Sequence, residues 1–138
     1  GLLLTSVDSV EWVVVARGSF IDIAADPAGD GSALATTGTG ELWSYAASGE
    51  ANRVPDAPTL TYLDRSEEDL IVGLDPSGGV MISTDAAASW DTFGQVPGRP
   101  SALEVTDKAW YAASDRGLFV SDDYGLTWAP VLSYPETP

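Results

Sequence analysis

Two aspartates stand in nearly the same octapeptide. Ser83, Asp85, Ser89 and Trp90 occupy the offsets of Ser121, Asp123, Thr127 and Trp128, and Ala87 stands where the second stretch has Gly125. An aspartate in this setting has two kinds of use. It can act as a catalytic carboxylate or cation ligand, or it can fold back onto backbone N–H groups and close a tight turn. Cation binding needs several oxygens converging on one point, and each stretch offers one or two; Asp122 beside Asp123 is the best local candidate. Turn closure fits the other residues better. Gly125 can supply a positive φ, and the tryptophan offers an apolar plate with an N–H left to find an acceptor. Two other acids lie on apolar, strand-like runs: Asp22 in Phe20-Ile21-Asp22-Ile23-Ala24, and Glu104 in Ser101-Ala102-Leu103-Glu104-Val105. Carboxylates about 5–10 Å apart can hydrolyse a glycoside, so Asp22 and Glu104 form a candidate pair, with solvated lining as the equal alternative.

The elements that must position these residues follow from a repeat. A shortened copy of the octapeptide keeps Ser6, Asp8 and Trp12, and a worn copy begins at Ser44. The four leading serines are 38, 39 and 38 residues apart, the mark of a repeat fold. Between them lie short β-branched and aromatic runs separated by turn residues such as Asp75-Pro76-Ser77-Gly78-Gly79. No segment has helical period. Each repeat reads as four antiparallel strands, and such a sheet can bury both faces only by stacking on its neighbours. Radial stacking gives an all-β fold, a β-propeller of four-stranded blades. The expected units are the outer half of a blade over 1–16, blades over 17–54, 55–94 and 95–133, and a tail over 134–138. The innermost strands are expected over 20–24, 59–63 and 101–105, with 64–69 as a polar connection.

Composition narrows the functional classes. Lys plus Arg is 6 against 21 Asp plus Glu, a formal charge of −15. Such a chain has no basic patch for nucleic acid or an anionic membrane. It has no cysteine and no histidine, which removes disulfides, thiolate or imidazole metal sites, and Ser-His or Cys-His dyads. No cofactor or metal is expected, and no apolar run is long enough to span a bilayer.

The stretch Leu118-Phe119-Val120-Ser121-Asp122-Asp123-Tyr124-Gly125-Leu126-Thr127-Trp128 resembles the Asp-box, or BNR repeat, of sialidase-like and glycosyl-hydrolase-like bacterial propeller proteins. The resemblance covers nearly the whole chain and implies a C-terminal portion of a secreted or lipid-anchored protein, extracellular or in the cell envelope. In that family the box is structural and lies away from the active centre. A sialidase also needs arginines to hold its substrate's carboxylate. Of the arginines here only Arg17, ahead of an innermost strand, stands near a suitable position, and no Phe/Tyr-Arg-Ile-Pro stretch occurs. The resemblance therefore implies a non-catalytic binding or assembly segment, with a carbohydrate or protein ligand. The alternative is a glycoside hydrolase whose catalytic groups lie mostly outside this chain. If residues of the innermost strands face a central channel, Arg17, Asp22 and Glu104 are the ones to watch; Tyr45 and Tyr124 are the aromatics placed to touch a ligand. Propellers use roughly 4 to 8 blades, so about 3.5 blades leave the ring open. The expected partners are the remaining blades, in a missing chain segment or a second copy.

Overall fold

The computed structural model describes residues 2–5, 13–17, 19–25, 32–46, 48, 50–65 and 70–132. The shortened copy at Ser6, Asp8 and Trp12 lies outside these residues. Every regular element described is a strand, and no helix occurs among the described residues.

A two-stranded sheet pairs β1 (Leu2–Thr5) with β2 (Val13–Arg17). Three four-stranded antiparallel meanders follow. Blade 1 is β3 (Phe20–Ala25), β4 (Ala33–Thr37), β5 (Leu42–Tyr45) and β6 (Ala51–Arg53). Blade 2 is β7 (Tyr62–Arg65), β8 (Ile71–Leu74), β9 (Gly79–Ser83) and β10 (Asp91–Gln95). Blade 3 is β11 (Pro100–Val105), β12 (Trp110–Ser114), β13 (Gly117–Ser121) and β14 (Ala129–Leu132). The innermost strands β3, β7 and β11 are the main line of contact, β7 lying against both of the others.

Alternation along each strand gives every blade two apolar faces, and the core forms where faces meet. Between blades 1 and 2, Ala24, Leu34 and Leu42 pack with Leu60, Leu63, Ile71 and Ala87. Between blades 2 and 3, Val72, Leu74, Val80 and Ile82 pack with Leu103, Val105, Trp110, Ala112 and Phe119. The central strand β8 is buried along its whole length, as a strand covered on both faces must be. Its hairpin to β9 is closed by Asp75, whose Oδ1 accepts the N–H groups of Ser77 (2.9 Å) and Gly79 (2.8 Å).

Three expectations shift. The innermost strand of blade 2 is Tyr62–Arg65, so Asp64 and Arg65 belong to the strand and not to a polar connection. Residues 59–61 instead run in as an irregular segment tied to blade 1, where Leu60 N–H donates to Gly40 O (3.3 Å) and the Thr36 hydroxyl to Thr61 O (2.6 Å). Arg17 does not lead into β3; it ends β2, paired with Leu2. Thr127 lies in the corner ahead of β14.

Candidate functional site

The corners at Ser83 and Ser121 are built alike. Ser121 Oγ donates to Asp123 Oδ1 (2.7 Å) and accepts the N–H of Gly125 (2.8 Å). Asp123 Oδ1 also accepts the N–H of Thr127 (2.9 Å), and its Oδ2 takes the Thr127 hydroxyl. Ser83 and Asp85 repeat this with Ala87 N–H (2.8 Å), Ser89 N–H (2.8 Å) and the Ser89 hydroxyl. Two successive residues have positive φ in each corner, Ala86 and Ala87 in one, Tyr124 and Gly125 in the other. This is the signature of a type I′ turn. The hydroxyls of Ser89 and Thr127, then their N–H groups, then Ser83 and Ser121, hold the two carboxyls down at about 2. Ionised carboxylates so fully engaged in turn closure are poor acids, bases or cation ligands.

The tryptophans differ. Trp128 Nε1 donates to Gly125 O (3.0 Å), whereas the buried Trp90 Nε1 has no partner among the described residues. Both rings are half-buried and pack on the core. Ser44 does not build a corner. Its Oγ reaches Asn52 O (3.3 Å), and a backbone bond from Ala46 N–H to Glu50 O (2.9 Å) closes the hairpin. Ser121→Ala is therefore expected to cost about 2 kcal/mol, because a buried N–H loses its acceptor. Ser44→Ala should stay within about 0.5 kcal/mol. Urea unfolding of the two variants checks the contrast.

The inner rim holds a second repeated device. Asp22 Oδ1 accepts the N–H of Ile23 (2.8 Å), and its Oδ2 crosses to the N–H of Leu63 in blade 2 (3.1 Å). Asp64 does the same one blade on, accepting from Arg65 N–H (2.8 Å) and from Val105 N–H in blade 3 (2.6 Å). Each crossing spans 41 residues. Burial raises the Asp22 carboxyl above the ordinary aspartate range; its two backbone donors lower it, and the charge of Asp64 adds to the rise. Asp22 and Glu104 are not brought together, since β7 lies between their strands. Asp22 has Asp64 as its acidic neighbour, and Glu104 is exposed on β11 with no hydrogen-bond or ion-pair partner among the described residues. Sequence reasoning passed over Asp64, though its chemistry and its 42-residue offset from Asp22 were in view.

The aromatics divide similarly. Tyr124 is 68% exposed and meets Trp110 edge to face at 5.8 Å. Tyr45 is buried, with Phe20 against it at 6.4 Å, so it is not a free contact residue as expected. It lines an open recess of about 550 Å³ together with Phe20, Trp43, Thr39 and Glu41, and Glu41 is paired with Arg53 at 3.1 Å. No group of three or more acidic side chains suited to a metal, and no helix long and apolar enough to cross a membrane, occurs among the described residues.

No family model and no curated protein matches the sequence. Solved structures do. The chain is similar to YCF48 from Cyanidioschyzon merolae, with 15% identity over 80% of this chain and 36% of that one, TM-score 0.64. It is similar to the GH74 enzyme of Niastella koreensis, with 18% identity over 94% of this chain and 21% of that one, TM-score 0.67. A chain of a nidogen/laminin complex aligns with 14% identity over 96% of this chain and 57% of that one, TM-score 0.74. The chain spans less than two thirds of each. Identities this low carry the architecture alone: three stacked four-stranded antiparallel blades, in a chain that has the β-propeller fold.

Proposed function

We propose that this chain is a non-catalytic binding or assembly segment of a propeller protein of the Asp-box (BNR) type, sialidase-like in lineage and working outside the cell or in its envelope. One observation carries the reading. Three of the four candidate carboxylates, Asp85 and Asp123 at the corners and Asp22 at the inner rim, already accept hydrogen bonds that hold the fold on both of their oxygens, and the fourth, Glu104, is separated from Asp22 by β7. The exposed rim, with Tyr124 and Leu126 outward, suits contact with a carbohydrate or a protein. YCF48 bound to a D1 peptide is among the structures of like fold, which is in keeping with a binding role.

The alternative is a glycoside hydrolase completed by groups outside this chain, and the raised carboxyl of Asp22 is the feature that favours it. Fluorogenic sialosides and neutral glycosides separate the two readings. No turnover above buffer, together with retention of the chain on a glycan or peptide array, is expected. Turnover that Asp22→Asn abolishes would replace the binding reading with the hydrolase.

A further inference from the structure

The corners at Ser83 and Ser121 share a turn but not its surroundings. Ile71 is paired with Ser83 and Trp110 with Ser121, so blade 2 has an aliphatic side chain where blade 3 has an indole. In the turn itself Ala86 stands where blade 3 has Tyr124, and both residues hold a positive φ. The turn therefore forms without either aromatic ring. In blade 3 the two rings meet edge to face at 5.8 Å. Trp110 is 4% exposed and fixed in the core, whereas Tyr124 lies mostly in solvent. Contact with a rigid neighbour orients the tyrosine ring and still leaves it a free face.

Beside the rings is a hollow of about 50 Å³ lined by Thr106, Asp107, Lys108, Trp110, Asp122 and Tyr124. The Thr106 hydroxyl is engaged in its own turn, donating to Ala109 O (2.6 Å) and accepting the N–H of Ala109 (3.0 Å). Asp107, Lys108 and Asp122 are exposed, and their side chains make no hydrogen bond or ion pair among the described residues. Trp110 Nε1 has no acceptor among the described residues either, and unlike Trp90 Nε1 it is not shut off from solvent. Two carboxylates that accept, and an ammonium and an indole N–H that donate, thus stand around one aromatic platform with no partner inside the fold.

This combination suits a sugar. The negative face of an aromatic ring attracts the slightly positive C–H hydrogens on one side of a pyranose. The sugar's hydroxyls, each both donor and acceptor, can then meet the flanking groups. The hollow has room for a few waters, and so for a hydroxymethyl group, but not for a whole ring. A peptide side chain would bring one or two polar groups to four open ones. The formal charge of −15 opposes an anionic glycan, and the hollow sets two carboxylates against one ammonium. We propose that the Tyr124 corner is a subsite for one uncharged hexopyranose unit, its ring on Tyr124, its hydroxymethyl group in the hollow and its hydroxyls bonded to Asp107, Lys108 and Asp122. The subsite deepens the binding reading and rests on it.

NMR of the full chain, titrated with methyl glucosides, galactosides and mannosides, tests it. Saturable shifts are expected at the Trp110 indole N–H and at the backbone of residues 106–109 and 121–126. Tyr124→Ala should weaken binding about tenfold or more, as truncation of an aromatic anchor does, and Asp122→Ala about threefold. Alanine already holds the matching place at residue 86, so Tyr124→Ala should fold, and an unchanged urea midpoint checks that it does. A methyl sialoside, the anionic contrast, should leave these signals in place. No shift with any neutral glycoside, affinity indifferent to Tyr124→Ala, or a stronger response to the sialoside would overturn the proposal. Peptide-array retention that Tyr124→Ala abolishes, without any glycoside response, would overturn it in favour of a peptide. Glycan-array retention that survives Tyr124→Ala would sink the subsite and leave the binding reading standing. Glycoside turnover abolished by Asp22→Asn, with the corner shifts intact, would do the reverse.

Discussion

Gly94→Ala should destabilise the protein by about 3 kcal/mol, at the upper end of what one added methyl costs in a packed site. The added Cβ would sit 2.1 Å from the carbonyl oxygen of Gly125 and 3.0 Å from that of Leu126. Both are backbone atoms of the Ser121 corner and cannot rotate away as a side chain would. That carbonyl of Gly125 is also the acceptor for Trp128 Nε1, so moving it strips a half-buried indole of its hydrogen bond. Gly94 itself lies on β10 of blade 2. The methyl therefore acts as a wedge between the outer edges of two blades, and the damage should show at their border. Urea unfolding measures the loss. Tryptophan fluorescence should report disturbance around Trp128 and Trp110, since a Cβ on Gly125 would lie 2.8 Å from the Trp110 ring. An unchanged midpoint would mean that the corner does not press on blade 2.

Asp64→Ala should cost about 2–3 kcal/mol, the scale of losing charge-assisted hydrogen bonds and leaving a buried donor unmet. Val105 is a core residue, and its N–H would lose the carboxylate 2.6 Å away. Arg65 N–H would lose its acceptor on the same side chain. Asp64→Asn keeps one carbonyl oxygen for one of the two N–H groups and should recover roughly half of the loss. Glu104→Ala, at the matching rung of blade 3, should change stability by less than about 0.5 kcal/mol. Hydrogen exchange at the Val105 amide separates a local break from general loosening: faster exchange there, ahead of β12 and β13, is the expected pattern. Equal costs for Asp64→Ala and Glu104→Ala would show that the inner-rim crossing contributes nothing.

The corners were legible in the sequence because their chemistry is local. Ser, Asp, a hydroxyl residue and Trp fall within eight residues, and the side-chain hydrogen bonds described for them stay within that stretch, so types and spacing suffice. The fold class was legible for a related reason, since the 38- or 39-residue period sets one sheet per unit. Asp64 was hidden because its partner lies 41 residues on. Judged locally, Asp64-Arg65-Ser66-Glu67-Glu68-Asp69 is a polar run of the kind that makes a loop, and only the next blade makes Asp64 a strand residue. Tyr45 was misjudged for the converse reason. As an aromatic beside the worn copy at Ser44 it reads as free to touch a ligand, yet Ser44 builds no corner, and the strand continues through Tyr45 with its ring packed against Phe20. Arg17 needed the pairing of β1 with β2, which fixes it opposite Leu2.

The corner leaves part of itself unassigned. Ser121, Asp123 and Thr127 bind one another and the main chain, while Tyr124 and Leu126 between them point outward, 68% and 54% exposed. Tyr124 does hold a positive φ, but alanine occupies the corresponding place at residue 86, so that conformation does not require an aromatic. Residues 124 and 126 can therefore change identity while the turn keeps its shape. A lineage carrying this architecture could diversify what its outer rim touches one side chain at a time, without renegotiating the sheets underneath.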